Sequence, residues 1–179
     1  MAEILVGVDG SPASQTALEF AVEEARLRDA DLIALHAYKL VAPDASSNYR
    51  YQRHLLDLPA HVYEVTAPRD EVARRAETLK HEEDYRRSRA WVGAAEKQAR
   101  QIVLDMIAEL GEQRGDVKVL PRLIADAHPA EALVEASAGA ELLVVGSRGL
   151  GGFKGLLLGS VSLQCVQHAR CPVIIVRAE

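Results

Sequence analysis

The chain has 179 residues, 49% hydrophobic and 26% charged, with a formal net charge of −5 at pH 7. This size and composition are typical of one globular domain, and the acidic balance argues against bulk attraction to nucleic acid or to an anionic membrane surface. No apolar run approaches the length of a membrane span, and "ILVGV" comes soon after Met1 with no basic or signal-like stretch before it. We therefore expect a cytoplasmic protein with no membrane or nucleic-acid partner.

The start of the chain predicts a β-α-β unit. The apolar run "EILVGVD" is typical of a buried strand. Ser11 suits a helix N-cap and Pro12 the first helical position, and apolar residues then recur at helical spacing up to Arg28. "DLIALHAY" is typical of a second buried strand, and a crossover of this length indicates parallel pairing.

A long insertion follows the second strand and covers about residues 43–93. It is too long for a plain connection inside a compact domain. The charged stretch after Pro68 is typical of a solvated helix, and a dedicated binding arm is the alternative. Residues 43–60 combine Pro, Ser and Asn with tyrosines and arginines, and we expect them to form a mobile lid that a bound ligand orders.

The rest of the chain alternates helix and strand patterns. The helix "AAEKQARQIVLDMIAELGEQ" precedes the strand "VKVLPRLI", a helix opened by Pro129, the strand "AELLVVG", the helix "LLLGSVSLQCVQHA" and the strand "PVIIVR". Five strands that are apolar on both faces need helices on both sides, which predicts a doubly wound parallel α/β sheet. Cys165 and Cys171 have neither metal-ligand nor disulfide spacing, so we interpret them as structural thiols and His36 as a core histidine.

The stretch "VVGSRGLGGFKGLLLGSVS" contains half of the chain's 12 glycines. It lacks the Gly-Lys-Ser/Thr ending of a Walker loop and has no G-x-G-x-x-G register. It does contain Gly146 and Gly149, then Gly159 and Ser160 at the start of a helix. Glycine at the first two positions allows positive φ and lets backbone N–H groups approach an anion with no Cβ in the way. Together with the unpaired amides expected at the helix start, this arrangement holds phosphate. The alternative is that these glycines only form a tight turn.

Together these motifs resemble a known family. "ILVGVDGSPAS", "LIALHAY", "ELLVVGSRGLGGFKGLLLGSVS" and "CPVIIVR" look like a universal stress protein of the ATP-binding kind. The resemblance implies a single domain over residues 1–179, with an adenine nucleotide alpha-hydrolase-like fold and a five-stranded parallel sheet in the order 3-2-1-4-5. The first and fourth strands would then be neighbours, so that Asp9 and the glycine loop face one site.

The resemblance also implies the ligand, which is ATP with Mg²⁺ or Mn²⁺. Asp9 would lie near the ribose or the metal-phosphate side. The other positions divide into an adenine side, with Gly7 and Ala37 and with Val145 beneath the ligand, and a phosphate side of Gly146, Gly149, Gly159, Ser160, Val161 and Ser162. The chain departs from the family pattern at Ala127, where a glycine is usual, and in the length of the insertion.

Three functions follow from this interpretation. The first is a stress or signalling regulator in which ATP alters what a homodimer presents to an unidentified protein partner. The second is a slow ATPase or self-phosphorylating enzyme, since Ser160 and Asp9 would flank the γ-phosphate, and the third is a nucleotide-free interaction module. No catalytic base is evident, so we expect at most weak hydrolysis. We expect the dimer to form through the bare apolar edge of the last strand, Pro172 to Val176.

Overall fold

The structure is a computed structural model that describes residues 2–38, 90, 92–126, 128–151 and 157–178. The expected lid at 43–60, almost all of the 43–93 insertion, and Ala127 lie outside these residues. The chain divides into one unit formed by Met1–Lys39 with Glu96–Glu179 and another formed by Leu40–Ala95. The first unit contains the sheet.

The sheet has five parallel strands in the order β3-β2-β1-β4-β5. The strands are β1 (Glu3–Gly7), β2 (Asp31–Tyr38), β3 (Val119–Ala125), β4 (Leu142–Gly146) and β5 (Val173–Val176). The predicted fold class and strand order are therefore confirmed. Strand order reverses between β1 and β4, and the carboxyl edge at such a reversal is where open α/β sheets bind ligands.

Helices connect the strands at the predicted places. They are α1 (Pro12–Arg28), α2 over residues 92–109, α3 (Pro129–Ala136) and α4 (Ser160–His168). Ser11 caps α1 as predicted, because its side chain accepts a hydrogen bond from the Ser14 backbone N–H at 3.2 Å. Helix α4 begins later than the apolar pattern "LLLG" suggests, since Gly159 is still extended, with φ −77° and ψ 167°.

The strands are apolar on both faces because each face packs against a separate core. Ile4 and Val6 of β1 belong to the first core cluster, which includes apolar residues of α1 and α2. Leu5 belongs to the second cluster, together with Leu133 of α3 and Cys165 of α4. His36 is a core histidine as predicted: it is 7% exposed, and its Nδ1 donates to the Val8 carbonyl at 2.7 Å.

Candidate functional site at the carboxyl edge of β1 and β4

Three segments of the chain meet at the carboxyl edge of β1 and β4. Because these strands pair in parallel, with Gly7 opposite Val145, the residues after each strand leave the sheet side by side. Asp9 lies in the turn after β1, and the glycine loop follows β4 and returns to the start of α4. The topology thus brings Asp9 and the glycine loop together.

The Asp9 carboxylate connects the β1 turn to the glycine loop. Its Oδ1 accepts a hydrogen bond from the Ser11 N–H at 3.0 Å, and its Oδ2 accepts one from the Leu150 N–H at 3.2 Å. The backbone N–H of Asp9 donates to Ser14 Oγ at 3.3 Å. Both carboxylate oxygens therefore already have backbone partners, one of them in the glycine loop.

Gly146 and Gly149 do not have positive φ, so that part of the expectation is wrong, and close contacts explain why both are glycines. Among the described glycines only Gly10, Gly111 and Gly115 have positive φ. A Cβ on Gly146 would lie 2.8 Å from both the carbonyl carbon and oxygen of Ala13, in the first turn of α1. A Cβ on Gly149 would overlap Oδ2 of Asp9. The tight packing of α1 and Asp9 against the loop leaves no room for a side chain.

Hydrogen bonds to the Ser147 carbonyl close the base of the loop. This oxygen accepts from the Gly159 N–H at 2.7 Å and from Ser162 Oγ at 2.9 Å. Ser162 Oγ is also 3.0 Å from the Gly159 carbonyl, and the residue is 2% exposed. The Ser162 hydroxyl thus points into the base of the loop, so its contribution to a phosphate site would be its backbone N–H.

The first backbone amides of α4 have no acceptor within the helix. The first helical bond runs from the Leu163 N–H to the Gly159 carbonyl at 3.0 Å, so the N–H groups of Ser160, Val161 and Ser162 have no acceptor within the helix. Gly159 provides no side-chain cap, and Ser160 is exposed. Unpaired amides and the positive end of the helix dipole favour an anion at this position.

The three residues expected on the adenine side lie on the second-core face of the sheet. Val145 is 3% exposed, and Ala37 packs against the same cluster. A Cβ on Gly7 would lie 3.0 Å from Leu133 Cδ1 and 3.4 Å from Val145 Cγ1. The missing side chain at Gly7 thus leaves room for Leu133. Sequence reasoning did not identify Leu133 as a neighbour of the site, because its position depends on how α3 packs on the sheet.

Sequence reasoning also missed the Leu150 amide and the Ser147 carbonyl. Both lie inside the glycine motif, but backbone groups carry no side-chain signal, and their partners Asp9 and Ser162 are identifiable only from the fold. For these two contacts the sequence offers only the partner side chains, an acidic residue after β1 and a serine early in α4. Arg148, in the same loop, is exposed.

Among the residues that the structure describes, no group of three or more His, Cys, Asp or Glu side chains could hold a metal ion. None of the helices in these described ranges is long and apolar enough to cross a membrane.

The sequence profile of the Universal stress protein family matches residues 1–177. The chain belongs to the universal stress protein family. A universal stress protein of Mycobacterium tuberculosis strain H37Rv is 33% identical over 180 residues, which cover 98% of this chain and 45% of that protein. The chain thus spans about half the length of the curated relatives it matches.

Solved structures of the universal stress protein family share the fold. The universal stress protein UspA from Lactobacillus plantarum is 24% identical with a TM-score of 0.53, and the match covers 98% of this chain and 97% of that one. A universal stress protein solved in complex with cAMP is 27% identical with a TM-score of 0.51, covering 99% of this chain and 98% of that one.

Proposed function

We propose that the chain binds an adenine nucleotide, ATP with Mg²⁺ or Mn²⁺, at the carboxyl edge of β1 and β4. The observation that carries this proposal is the amino end of α4, where three backbone amides without helical acceptors lie beside a glycine loop closed at its base. Amides in this arrangement bind phosphate without a net basic charge on the protein. The complex of a related family member with cAMP supports a nucleotide as the ligand.

In the proposed complex the phosphates lie along the loop. Gly146, Gly149 and Gly159 belong to this loop, and the amides of Ser160–Ser162 end it. The adenine ring packs on the face of the sheet that carries the second core cluster, near Gly7 and Ala37 and above Val145. Asp9 faces the metal-phosphate side, where a divalent cation offsets repulsion between its carboxylate and the phosphates.

A charge placed at the α4 amides tests the site. Ser160 is exposed at the first helical position, so Ser160→Asp introduces a carboxylate where it interacts favourably with the helix dipole and unfavourably with phosphate. We expect unchanged or slightly higher thermal stability, with ATP affinity lowered by about tenfold or more, which is about 1.4 kcal/mol. Ser160→Asn is the matched neutral control. Calorimetry showing equal ATP affinity in the two variants would remove this helix end from the site.

We infer that the protein binds ATP without rapid hydrolysis. Hydrolysis needs a group that orients the attacking water, but Asp9 Oδ1 accepts from the Ser11 amide and Oδ2 is proposed to face the divalent cation. Phosphate release should therefore be far below the ~1 s⁻¹ at the low end of ordinary enzymes. Turnover above that value that is lost in Asp9→Asn and Ser160→Ala would instead make the protein an ATPase.

We also propose that the protein acts as a nucleotide-dependent regulatory homodimer in the cytoplasm, as one domain interrupted by the 43–93 insertion. The two edges of the sheet differ. Edge strand β3 contains Pro121 and Arg122, which discourage further strand pairing, whereas β5 is the uninterrupted apolar run Val173–Val176. The edge of β5 is therefore the surface proposed to pair with a second copy.

A further inference from the structure

The carboxylate of Asp9 accepts a hydrogen bond from a backbone amide of the glycine loop. Asp9 Oδ2 accepts from the Leu150 N–H at 3.2 Å and lies so close to Gly149 that a Cβ there would overlap it. Asp9 is separated from Leu150 by 141 positions in the chain, so this contact joins two distant segments. An anionic group of the protein itself is thus bound by the loop proposed to hold phosphate.

The position of the carboxylate is fixed from its other side. Oδ1 accepts from the Ser11 N–H at 3.0 Å, and the Asp9 N–H donates to Ser14 Oγ at 3.3 Å. Ser14 is 4% exposed, and its own N–H donates to Ser11 Oγ, so the turn is anchored on the capped end of α1. Asp9 therefore reaches the loop from a rigid support.

We propose that Asp9 is an internal competitor for phosphate, one that keeps the Leu150 amide occupied until a divalent cation accompanies the ligand. This inference rests on the proposed nucleotide site and adds its regulation. A phosphate that approaches the Leu150 amide meets a like charge already bound there, and like charges at such distances repel. A divalent cation between the phosphate and Asp9 replaces that repulsion with attraction to both anions. The loop then discriminates against metal-free phosphates.

Asp9→Asn separates charge from shape. Asparagine has nearly the same size but no charge, and its single amide oxygen can accept from the Leu150 N–H or from the Ser11 N–H but not from both. We expect affinity for tripolyphosphate and for ATP, both in EDTA, to rise by about tenfold, equal to about 1.4 kcal/mol of relieved repulsion. The ratio of affinities with and without Mg²⁺ should fall accordingly. Asp116→Asn, exposed before β3 at the opposite edge of the sheet, controls for the change in net charge.

A second measurement uses the unmodified protein and needs no folded variant. In ¹H–¹⁵N spectra, the Leu150 amide should shift on addition of tripolyphosphate with Mg²⁺ and stay in place on addition of tripolyphosphate in EDTA. An equal shift in both conditions would overturn the inference, because the amide would then accept phosphate without a cation. Unchanged or lower metal-free affinity in Asp9→Asn would overturn it as well.

Failure of the nucleotide site itself would look different. If neither the unmodified protein nor Asp9→Asn binds ATP or tripolyphosphate with Mg²⁺ present, the proposed function is wrong and the inference falls with it. If both bind with Mg²⁺ but the Asn variant gains nothing in EDTA, the nucleotide site stands and Asp9 has only a structural role.

Discussion

Asp9 Oδ2 accepts a hydrogen bond from the Leu150 N–H at 3.2 Å and thereby joins the turn after β1 to the glycine loop after β4. The contact depends on the parallel pairing of these two strands, which are far apart in the chain. It also depends on the missing side chain at Gly149. The chemistry of the site therefore follows from a packing relationship that neither segment contains alone.

Gly149→Ala should break this contact without unfolding the protein. The new Cβ would overlap Asp9 Oδ2, so the carboxylate or the loop has to move and the Leu150 amide loses its acceptor. Gly149 is exposed, so we expect a stability loss of about 1 kcal/mol or less, the value of one hydrogen bond. Hydrogen exchange of the Leu150 amide should become faster, and Mg-ATP should bind more weakly.

Gly151→Ala is the matched control for this variant. Gly151 is also an exposed loop glycine, but nothing lies within 4 Å of an added Cβ. Its exchange rates and ATP affinity should stay close to those of the unmodified protein. If both variants behave alike, the overlap with Asp9 has no consequence.

Gly146→Ala should destabilise the fold itself. Its Cβ would meet the Ala13 carbonyl carbon and oxygen at 2.8 Å and the Ser14 nitrogen at 3.0 Å, all of them backbone atoms that cannot rotate away. Moving α1 away from β4 would disturb the first core cluster, so we expect a loss of about 2–3 kcal/mol. Denaturant titration measures this against Gly139→Ala, where nothing lies within 4 Å and the change should stay within about 0.5 kcal/mol. Equal midpoints for the two variants would contradict the packing argument.

The fold was predictable from sequence, whereas the reasons for the site residues were not. The order and type of the elements have local signals, such as the Ser11 cap and the alternation of strand and helix patterns, and these were correct, although α4 begins later than its apolar pattern suggests. The site glycines were also identified, but the physical reason at Gly146 lies in Ala13 and that at Gly149 in Asp9. Such contacts depend on how distant segments pack, and no spacing within one segment encodes them.

Ser162→Ala should reduce stability more than Ser160→Ala, although both serines follow the same glycine. The Ser162 hydroxyl is buried and lies within hydrogen-bonding distance of the carbonyls of Ser147 and Gly159. Its removal should cost about 1–2 kcal/mol and loosen the base of the loop. Ser160 is exposed, so its loss should be nearly neutral for folding. Equal thermal midpoints for the two variants would show that the Ser162 hydroxyl does not hold the loop.

Cys165 should resist thiol reagents while the protein is folded. Burial, with a smaller contribution from Cys171, raises the pKa of the Cys165 thiol to about 11. At pH 8 only about 1 in 1,000 of these thiols would be ionised, and the thiolate is the reactive form. In Cys171→Ala, reaction with a disulfide reagent should be very slow until denaturant is added. Rapid labelling of the folded variant would contradict the burial.

The raised pKa also gives stability a defined pH dependence. The folded protein favours the protonated thiol, so the contribution of Cys165 is fully present below its unfolded pKa and is lost as pH rises towards about 11. Denaturant titrations between pH 8 and 11 should show a loss of stability that is smaller in Cys165→Ala. A parallel decline in both proteins would assign the effect to other groups.

Strand β5 has one side that pairs with β4 and one open side, which is proposed to form the dimer. The carbonyl of Pro172, just before β5, accepts from the Leu143 N–H, and that of Val176 accepts from the Ser147 N–H, so these positions face β4. Successive residues of a strand direct their N–H and C=O groups to opposite sides, so those of Ile175 point to the open edge of the sheet. Ile175→Pro removes the outward N–H while leaving the bonds to β4 in place, and we expect a monomer by light scattering.

Ile174→Lys is a second, independent disruption of this edge. Ile174 packs partly against the first core cluster, so the lysine also costs stability, and circular dichroism must show that the variant is folded. Arg177→Ala, just beyond the strand, is a control that should remain dimeric. If both β5 variants stay folded and dimeric, the copies pair through another surface, and a monomeric unmodified protein would refute the dimer altogether.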